Sequence, residues 1–465
     1  MNSRSRPALA LCLVMAGCAG PMDRTWDDST YQAIRDRYGE KDRRIADDSD
    51  DGSAWPSTSI HSLDALSVED AIRIAIVNNP RLRSAGYRVD AATGRVTQAG
   101  LYPNPAFVFE GEGLGSDAGR GGDTIYKLEQ EIVLGGKLDR ARDVAEADRL
   151  AAQAAFVAEE FAVASRVTRA YFDALASAEG LARRQDLADL ANQLLEAASA
   201  QVDAGAATEP DRLRAEVVAE QAQIELEAAR LDADASRRTL ASVMGLEETI
   251  DLPLSTSAIE LPQLPDREGL VAAVLEANSR VSLARIALER ARAAHALARS
   301  EGVPNLFAAI GPRYSDPENE TTLDLSVGIG IPLFDRNQGE IRAAMAERLS
   351  AAAELRSVQL DLLAEVSDAW AAYQAALMAA TRFREQLLPK ADRTLELTRQ
   401  AYERGKTDYL RLLDAQQVVV ESRIAYVDAL RRLHEAAALL RELAQTDAPW
   451  REPRPADSPG DEVTP

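Results

Sequence analysis

The sequence predicts a mainly α protein with a small β part, laid out as two successive copies of one plan, and three observations predict it. From Leu138 to about Val202 there is no proline, and Ala, Leu, Glu and Arg predominate, so a single very long helix is expected. From Thr322 to Ile331 the chain alternates strictly: Leu323, Leu325, Val327, Ile329 and Ile331 share one side, while Thr322, Asp324, Ser326, Gly328 and Gly330 share the other. That is period two, a strand with one apolar face. Motifs also recur within about two residues of a 200-residue offset. Pro304-Asn305 repeats Pro103-Asn104, Ile331-Pro332-Leu333 repeats Ile132-Val133-Leu134, and Gly405 repeats Gly205. A period that long is a tandem duplication and not a solenoid.

Residues 1–17 form an export signal, with Arg4 and Arg6 ahead of an apolar core, Pro7 to Ala16, too short to span a bilayer. Met15-Ala16-Gly17-Cys18 resembles the lipobox of bacterial lipoproteins, which implies a lipid on Cys18 and, with Ala19 following, passage to the outer membrane. Plain cleavage near Ala19 is the alternative. With Cys12 removed and Cys18 acylated, the mature chain has no free thiol and no disulfide, so packing alone must stabilise it.

Residues 18–63 are polar and acidic, with Trp26 and Trp55 the main apolar anchors, and read as an irregular lead-in. The first repeat spans 64–250. Ser67-Val68-Glu69-Asp70 resembles a capping box and opens a helix that breaks at Asn79-Pro80 and resumes to about Gly100. A hairpin over 103–134 follows, Ala106 to Gly113 and Asp123 to Leu134, closed by Gly135-Gly136-Lys137. The very long helix then runs to a turn at Gly205, and Thr208 caps the next helix with Pro210 in its first turn, as far as Met244-Gly245. Residues 251–265, with Pro253, Pro262 and Pro265, link to the second repeat, 266–444. There the hairpin falls at 304–334, from Asn305 to Tyr314 and from Thr322 onward, with Phe307, Tyr314 and Phe334 near its ends. The turn falls near Gly405, and Trp370 stands where Tyr171 stood. Residues 445–465 carry no core-forming pattern and are expected to be mobile.

A hairpin is marginal alone in water, and the flanking Ala-rich helices offer no further strands to cover its apolar face. Strands of about ten residues with terminal aromatics fit a membrane barrel, so lipid is the expected cover. Two hairpins supply four strands, whereas the smallest closed barrels have eight. An open edge in lipid leaves backbone groups unpaired at several kcal/mol each, so identical chains must associate to close the wall.

The net charge of −22 argues against nucleic acid as a partner. Beyond the N-terminus no apolar run reaches about 18 residues, which excludes a helical span. His61, His295 and His434 are far apart and none has a second ligand at helical spacing, so neither a built metal site nor a cofactor is expected. Glu110, Glu112, Glu129 and Glu131 lie on or near the strand faces opposite the aromatics, and read equally as lumen lining or a solvated rim. No nucleophile elbow or phosphate-cradling loop occurs, so no catalysis is expected.

Residues from about Ser67 to Ala444 resemble the TolC-like outer-membrane efflux proteins. Pro103-Asn104-Pro105, Leu134-Gly135-Gly136-Lys137 and, above all, Ile331 to Ile341 resemble the branch serving heavy-metal cation efflux, the CzcC-like proteins. The resemblance implies a homotrimer sharing a twelve-stranded transmembrane β-barrel, four strands per chain, continued by a coiled tunnel of the long helices across the periplasm. It implies a passive exit duct, docked to a periplasmic membrane-fusion adaptor fed by an inner-membrane, proton-driven resistance-type transporter. Gly205 and Gly405 match the tip glycines that meet the adaptor, and as helix ends they also suit glycine for positive φ. Asp211, Tyr402 and Asp414 match the network at the tunnel entrance; as plain residues they are a first-turn acid and two surface side chains. Arg411 stands where many relatives carry a second aspartate, and Thr407 where a basic gate residue is frequent, with Lys406 beside it. A duct for drugs or organic toxicants is the alternative within transport. A lipid-anchored periplasmic scaffold or adaptor is the alternative of another class.

Overall fold

The fold, a computed structural model, describes residues 64–113, 122–205, 208–248, 252–255, 261–262, 264–315, 319–404, 406–407 and 409–445. Cys18, Trp26, Trp55, His61, Gly405 and the expected C-terminal tail from residue 446 onward lie outside these residues. Gln445, the first residue of that tail, is instead buried and held, its Oε1 accepting from Ser279 N at 2.8 Å and its Nε2 donating to Ser279 Oγ at 3.0 Å, so the expected mobility does not begin there.

The first repeat opens with α1 (Val68–Asn78) and α2 (Pro80–Ala99). Ser67 Oγ accepts from Asp70 N at 3.1 Å and donates to the Asp70 carboxylate, which closes the start of α1. Pro80 breaks the helix, and Asn79 serves both sides: its Oδ1 accepts from Arg81 N at 2.9 Å, and its Nδ2 donates to Val243 O at 2.9 Å. Strands β1 (Ala106–Glu112) and β2 (Asp123–Ile132) follow. The chain then enters α3 (Lys137–Asp203), 67 residues long, about 100 Å at 1.5 Å per residue. Gly135 and Gly136 make that entry at φ 75° and 69°, where a side chain on Gly135 would press on Val303. After the Gly205 turn α4 (Glu209–Val243) returns along α3.

The second repeat runs α5 (Arg267–Ala277), α6 (Ser279–Glu301), β3 (Leu306–Ser315) and β4 (Glu320–Ile329). Here the long helix is not continuous. α7 (Gln338–Arg382) passes through one π-helical turn, Phe383–Leu387, into α8 (Leu388–Glu403). Pro389 follows at once; it has no N–H and its ring crowds the carbonyl four residues back, a strain that one wider turn absorbs. The last helix is α9 (Tyr409–Ala444).

All four strands form one antiparallel sheet in the order β1-β2-β3-β4. The pairing of β2 with β3 joins the two hairpins, and hence the two repeats. Helix α3 packs against α2, α4, α6 and α9, while α7 packs against α6 and α9. Each repeat has its own core, around Leu66, Val167, Tyr171, Leu240 and Met244 in the first and around Leu270, Leu362, Val366, Leu433 and Leu440 in the second. A third cluster, Ala147, Leu150 and Ala154 against Ile286, binds α3 to α6. Ala dominates these contacts, so long helices approach closely with few aromatics. Tyr171 donates its hydroxyl to the carbonyls of Leu66 (2.9 Å) and Ser255 (3.0 Å). Trp370 shares Tyr171's place in the repeat, but the matching bond is made one turn on, from Tyr373 to Pro262 O at 2.8 Å.

Candidate functional site

The pairing register sorts the sheet into two faces. Phe107, Phe109, Tyr126, Leu128, Ile310, Tyr314 and the leucines and valine of β4 share one face: Phe107 pairs with Leu128, Phe109 with Tyr126, Leu128 with Ile310 and Ile310 with Leu325, and Tyr314, Leu323 and Val327 lie an even number of residues from these along their strands. These side chains are solvent-facing although large and apolar: Phe107 is 72% exposed and Leu323 72%. The patch continues beyond β4 through Ile331, Leu333 and Phe334, the last 90% exposed. A surface of that size on a lone chain marks an interaction or lipid face. Among the described residues no helix is long and apolar enough to cross a membrane. Phe307, grouped by sequence with the terminal aromatics, pairs with Glu131 and Gly328 and so lies on the opposite face.

That opposite face is polar and crossed by two ion-pair chains. Lys127 on β2 donates to Glu110 on β1 at 2.9 Å and lies 3.7 Å from Asp324 on β4. It reaches β4 across Gly311 of β3, which has no side chain to obstruct it. A Cβ on Gly311 would sit 1.7 Å from Tyr126 O. The β2–β3 ladder lapses there, since Pro312 has no N–H to give. Arg313 on β3 donates to Asp123 on β2 at 2.9 Å and to Glu112 on β1 at 2.7 Å. Glu129 and Glu131 share this face, so all four strand glutamates named from sequence stand on the polar side. Sequence reasoning missed Lys127 and Arg313 as the cations that pair with Glu110 and Glu112 and tie them to Asp324 and Asp123; period-two parity from Glu110 and Asp324 was the signal that would have found them.

Where sheet meets helix, Asn305 acts as a clasp between repeats. Its Oδ1 accepts from Leu134 N (3.3 Å) and Lys137 Nζ (2.6 Å), and its Nδ2 donates to Glu131 at 2.6 Å.

At the far end of the α3–α4 hairpin, Gly205 takes φ 71° with nothing within 4 Å of the position of a Cβ. Glycine is needed there for backbone angle, not for space. Asp211 accepts from Thr208 N at 3.0 Å and from the Thr208 hydroxyl at 2.6 Å, completing the expected cap. The hydroxyl bond first and the backbone bond second hold its carboxyl below the usual range. On the second hairpin, Lys406 N donates to Ala401 O at 2.8 Å, the long bond of a Schellman-type helix end. Tyr402 and Asp414 are exposed on that hairpin. Asp211 is engaged within its own helix start, beside the first turn, whereas Tyr402 in α8 and Asp414 in α9 flank the second, so the three residues expected together from sequence lie on two separate turns of the chain.

Among the described residues no group of three His, Cys, Asp or Glu side chains is placed to hold a metal. His295 lies in α6, where burial, then Arg348 and Arg299, push its pKa down. His434 is buried in α9, stacked on Phe172 of α3 with ring centroids 3.7 Å apart; it is a packing residue between the repeats.

The pattern of the family described as outer membrane efflux protein matches residues 71–246 and again residues 270–444. The cobalt-zinc-cadmium resistance protein CzcC of Cupriavidus metallidurans is 27% identical over 376 residues, covering 81% of this chain and 89% of the relative. The cation efflux system protein CusC of Escherichia coli strain K12 is 26% identical over 399 residues, covering 78% and 82% respectively. The crystal structure of the outer membrane protein VceC from Vibrio cholerae superposes with a TM-score of 0.67 at 20% identity, over 81% of this chain and 95% of that one. That last likeness is one of fold.

Proposed function

The chain belongs to the outer membrane efflux protein family, and from that membership we propose that three copies form the passive exit duct of a tripartite pump for heavy-metal cations. As a member it is an outer-membrane efflux channel. The observation that carries the three-copy reading is the sheet itself: four strands, one exposed apolar face and two unpaired edges. In lipid those edges need partners, and three copies give twelve strands, within the range of closed barrels. The cation reading is supported by relatives named for cobalt, zinc, cadmium and cation efflux, and by the acidic excess on the polar sheet face.

Energy comes from an inner-membrane proton-driven transporter through a periplasmic adaptor. In this reading the turns at Gly205 and Gly405 form the tip that meets the adaptor. Asp211, Tyr402 and Asp414 ring the entrance, and a lipid on Cys18 anchors the chain to the outer membrane. The test is a chromosomal deletion scored for survival. Sensitivity to zinc, cadmium, cobalt or copper, restored by the intact gene, supports the reading. Unchanged metal tolerance together with sensitivity to dyes and antibiotics replaces the cargo with organic compounds. A purified protein whose mass is that of one chain, without conductance in planar bilayers, removes the duct itself.

A further inference from the structure

The sheet stops at two bare edges, and the internal duplication states what each edge meets. Strand β1 maps onto β3 at a shift of 201 residues (Pro103 onto Pro304, Asn104 onto Asn305), and β2 maps onto β4 at 199 (Ile132 onto Ile331, Leu134 onto Leu333). Both hairpins obey these shifts. The pair Ala106 and Glu129 becomes Phe307 and Gly328, and the pair Phe109 and Tyr126 becomes Ile310 and Leu325, each a real pair of the second hairpin.

The same mapping applies to the junction of β2 with β3. Glu129 paired with Ala309 becomes Gly328 with Val108, and Leu128 paired with Ile310 becomes Val327 with Phe109. Within one chain β1 and β4 are opposite edges of the sheet, so these partners lie on different copies. We propose that β4 of one copy pairs antiparallel with β1 of the next in this register, with Gly328 opposite Val108 and Val327 opposite Phe109. The proposal rests on the three-copy reading above and adds the register at which the wall closes.

Two features select this register from its neighbours. Val327 and Phe109 both belong to the apolar face, so any shift by an odd number of residues turns one set of side chains to the wrong side. Shifts by two keep the faces but lose the clasp. Inside the chain Asn305 accepts from Leu134 N and Lys137 Nζ; the mapping puts Asn104 against Leu333 and Arg336 of the adjoining copy. Asparagine and leucine are retained and the cation is kept, lysine becoming arginine. A two-residue slip carries Asn104 about 7 Å from Leu333. Glu131 maps onto Gly330, so the seam clasp has one bond fewer than the internal one. The internal ladder lapses at Gly311 and Pro312; Glu110 and Gly111 occupy the mapped places, so the seam ladder runs without that gap.

Paired cysteines test the register. Glu129→Cys with Ala309→Cys is the internal control, and Gly328→Cys with Val108→Cys is its geometric equivalent across the seam. Nothing lies within 4 Å of a Cβ at Gly328, so cysteine fits there. Under mild oxidation of the full-length protein in outer membranes, the control pair loses thiol labelling at the mass of one chain. The seam pair yields bands of two and three linked chains, and either seam cysteine alone yields none. If the protein has the mass of three copies but Gly328→Cys links faster to Glu110→Cys or to Ala106→Cys, the register is wrong while the duct stands. A single-chain mass overturns both. Should the seam pair fail to assemble, the clasp gives a second reading. Asn104→Asp keeps or raises the temperature at which the oligomer dissociates in detergent, and Asn104→Asp with Arg336→Glu lowers it below either single change. If that temperature moves in neither case, the clasp is absent and the register loses its support.

Discussion

Glycine has different reasons at different places in this chain, and the reasons separate by substitution. At Gly311 a single added carbon would stand 1.7 Å from Tyr126 O, a backbone atom held between the flanking pairs Ile125–Arg313 and Leu128–Ile310, so it cannot yield without displacing them. At Gly328, on the next strand, a Cβ meets nothing within 4 Å. Gly311→Ala is therefore expected to abolish the heat-resistant oligomer on unboiled gels, and Gly328→Ala to leave it unchanged. Equal behaviour of the two would mean that β2 and β3 do not approach as described. Asp211 offers a different residue-scale test, through pH. Its carboxyl is depressed by the Thr208 hydroxyl and backbone N–H. Its stabilisation of the turn is thus fully present above the unfolded aspartate value of about 3.9 and is lost as pH falls through the lower folded value. Hydrogen-exchange protection around residues 208–212, referenced to the unfolded peptide, should fall only in that acidic window. In Asp211→Asn it should be low and flat with pH.

Elements were legible in the sequence to the degree that one local rule governed them. Helix formers without proline mark α3, and it begins at Lys137 and ends at Asp203, one residue outside the expected limits at each end. Strict alternation marks β4, and the Asn79-Pro80 break stands where two local preferences agree. What sequence did not show depends on neighbours distant in the chain. The π-helical turn before α8 reflects how Pro389 is accommodated, while its position in the repeat suggested one smooth helix. Phe307 is apolar yet pairs on the polar face, because register and not hydropathy sets its side. Trp370 and Tyr171 align by offset, but the hydroxyl bond moves one turn on to Tyr373. Tyr171 itself joins elements: it ties the chain before α1 to the segment after α4. Tyr171→Phe removes that tie at a cost of about 1–2 kcal/mol, read as earlier thermal unfolding and faster exchange near Leu66. Burial pushes the Tyr171 phenol up to about 12. A raised value means that this contribution is whole below the ordinary tyrosine pKa of about 10 and is lost as pH climbs through 12. Tyr171→Phe should show no such alkaline step.

At the scale of the whole molecule, charge is the property that links composition to transport. A net charge of −22 says nothing by itself about where the acids face. The register does: Glu110, Glu112, Asp123, Glu129, Glu131 and Asp324 share the polar side of the sheet with Lys127 and Arg313. When copies close into a barrel with the apolar side in lipid, this face lines the conduit, and its acidic excess concentrates cations there. The same two cations limit that excess, because each sits within salt-bridge distance of two carboxylates, one on the adjacent strand and one a strand beyond. Lumen charge should accordingly be adjustable without touching the lipid face. Across a potassium chloride gradient in planar bilayers, the wild-type duct is expected to favour potassium. Lys127→Glu, which changes two charges per copy and frees Glu110 and Asp324, should raise the potassium-to-chloride permeability ratio by about twofold or more. Glu129→Lys should lower it. The apolar face takes no part in this effect, so Leu325→Val should leave the ratio where it was. Identical reversal potentials for the wild type and both charge variants would place the polar face outside the conduction path, and the acid-lined duct would have to be abandoned even if the oligomer were intact.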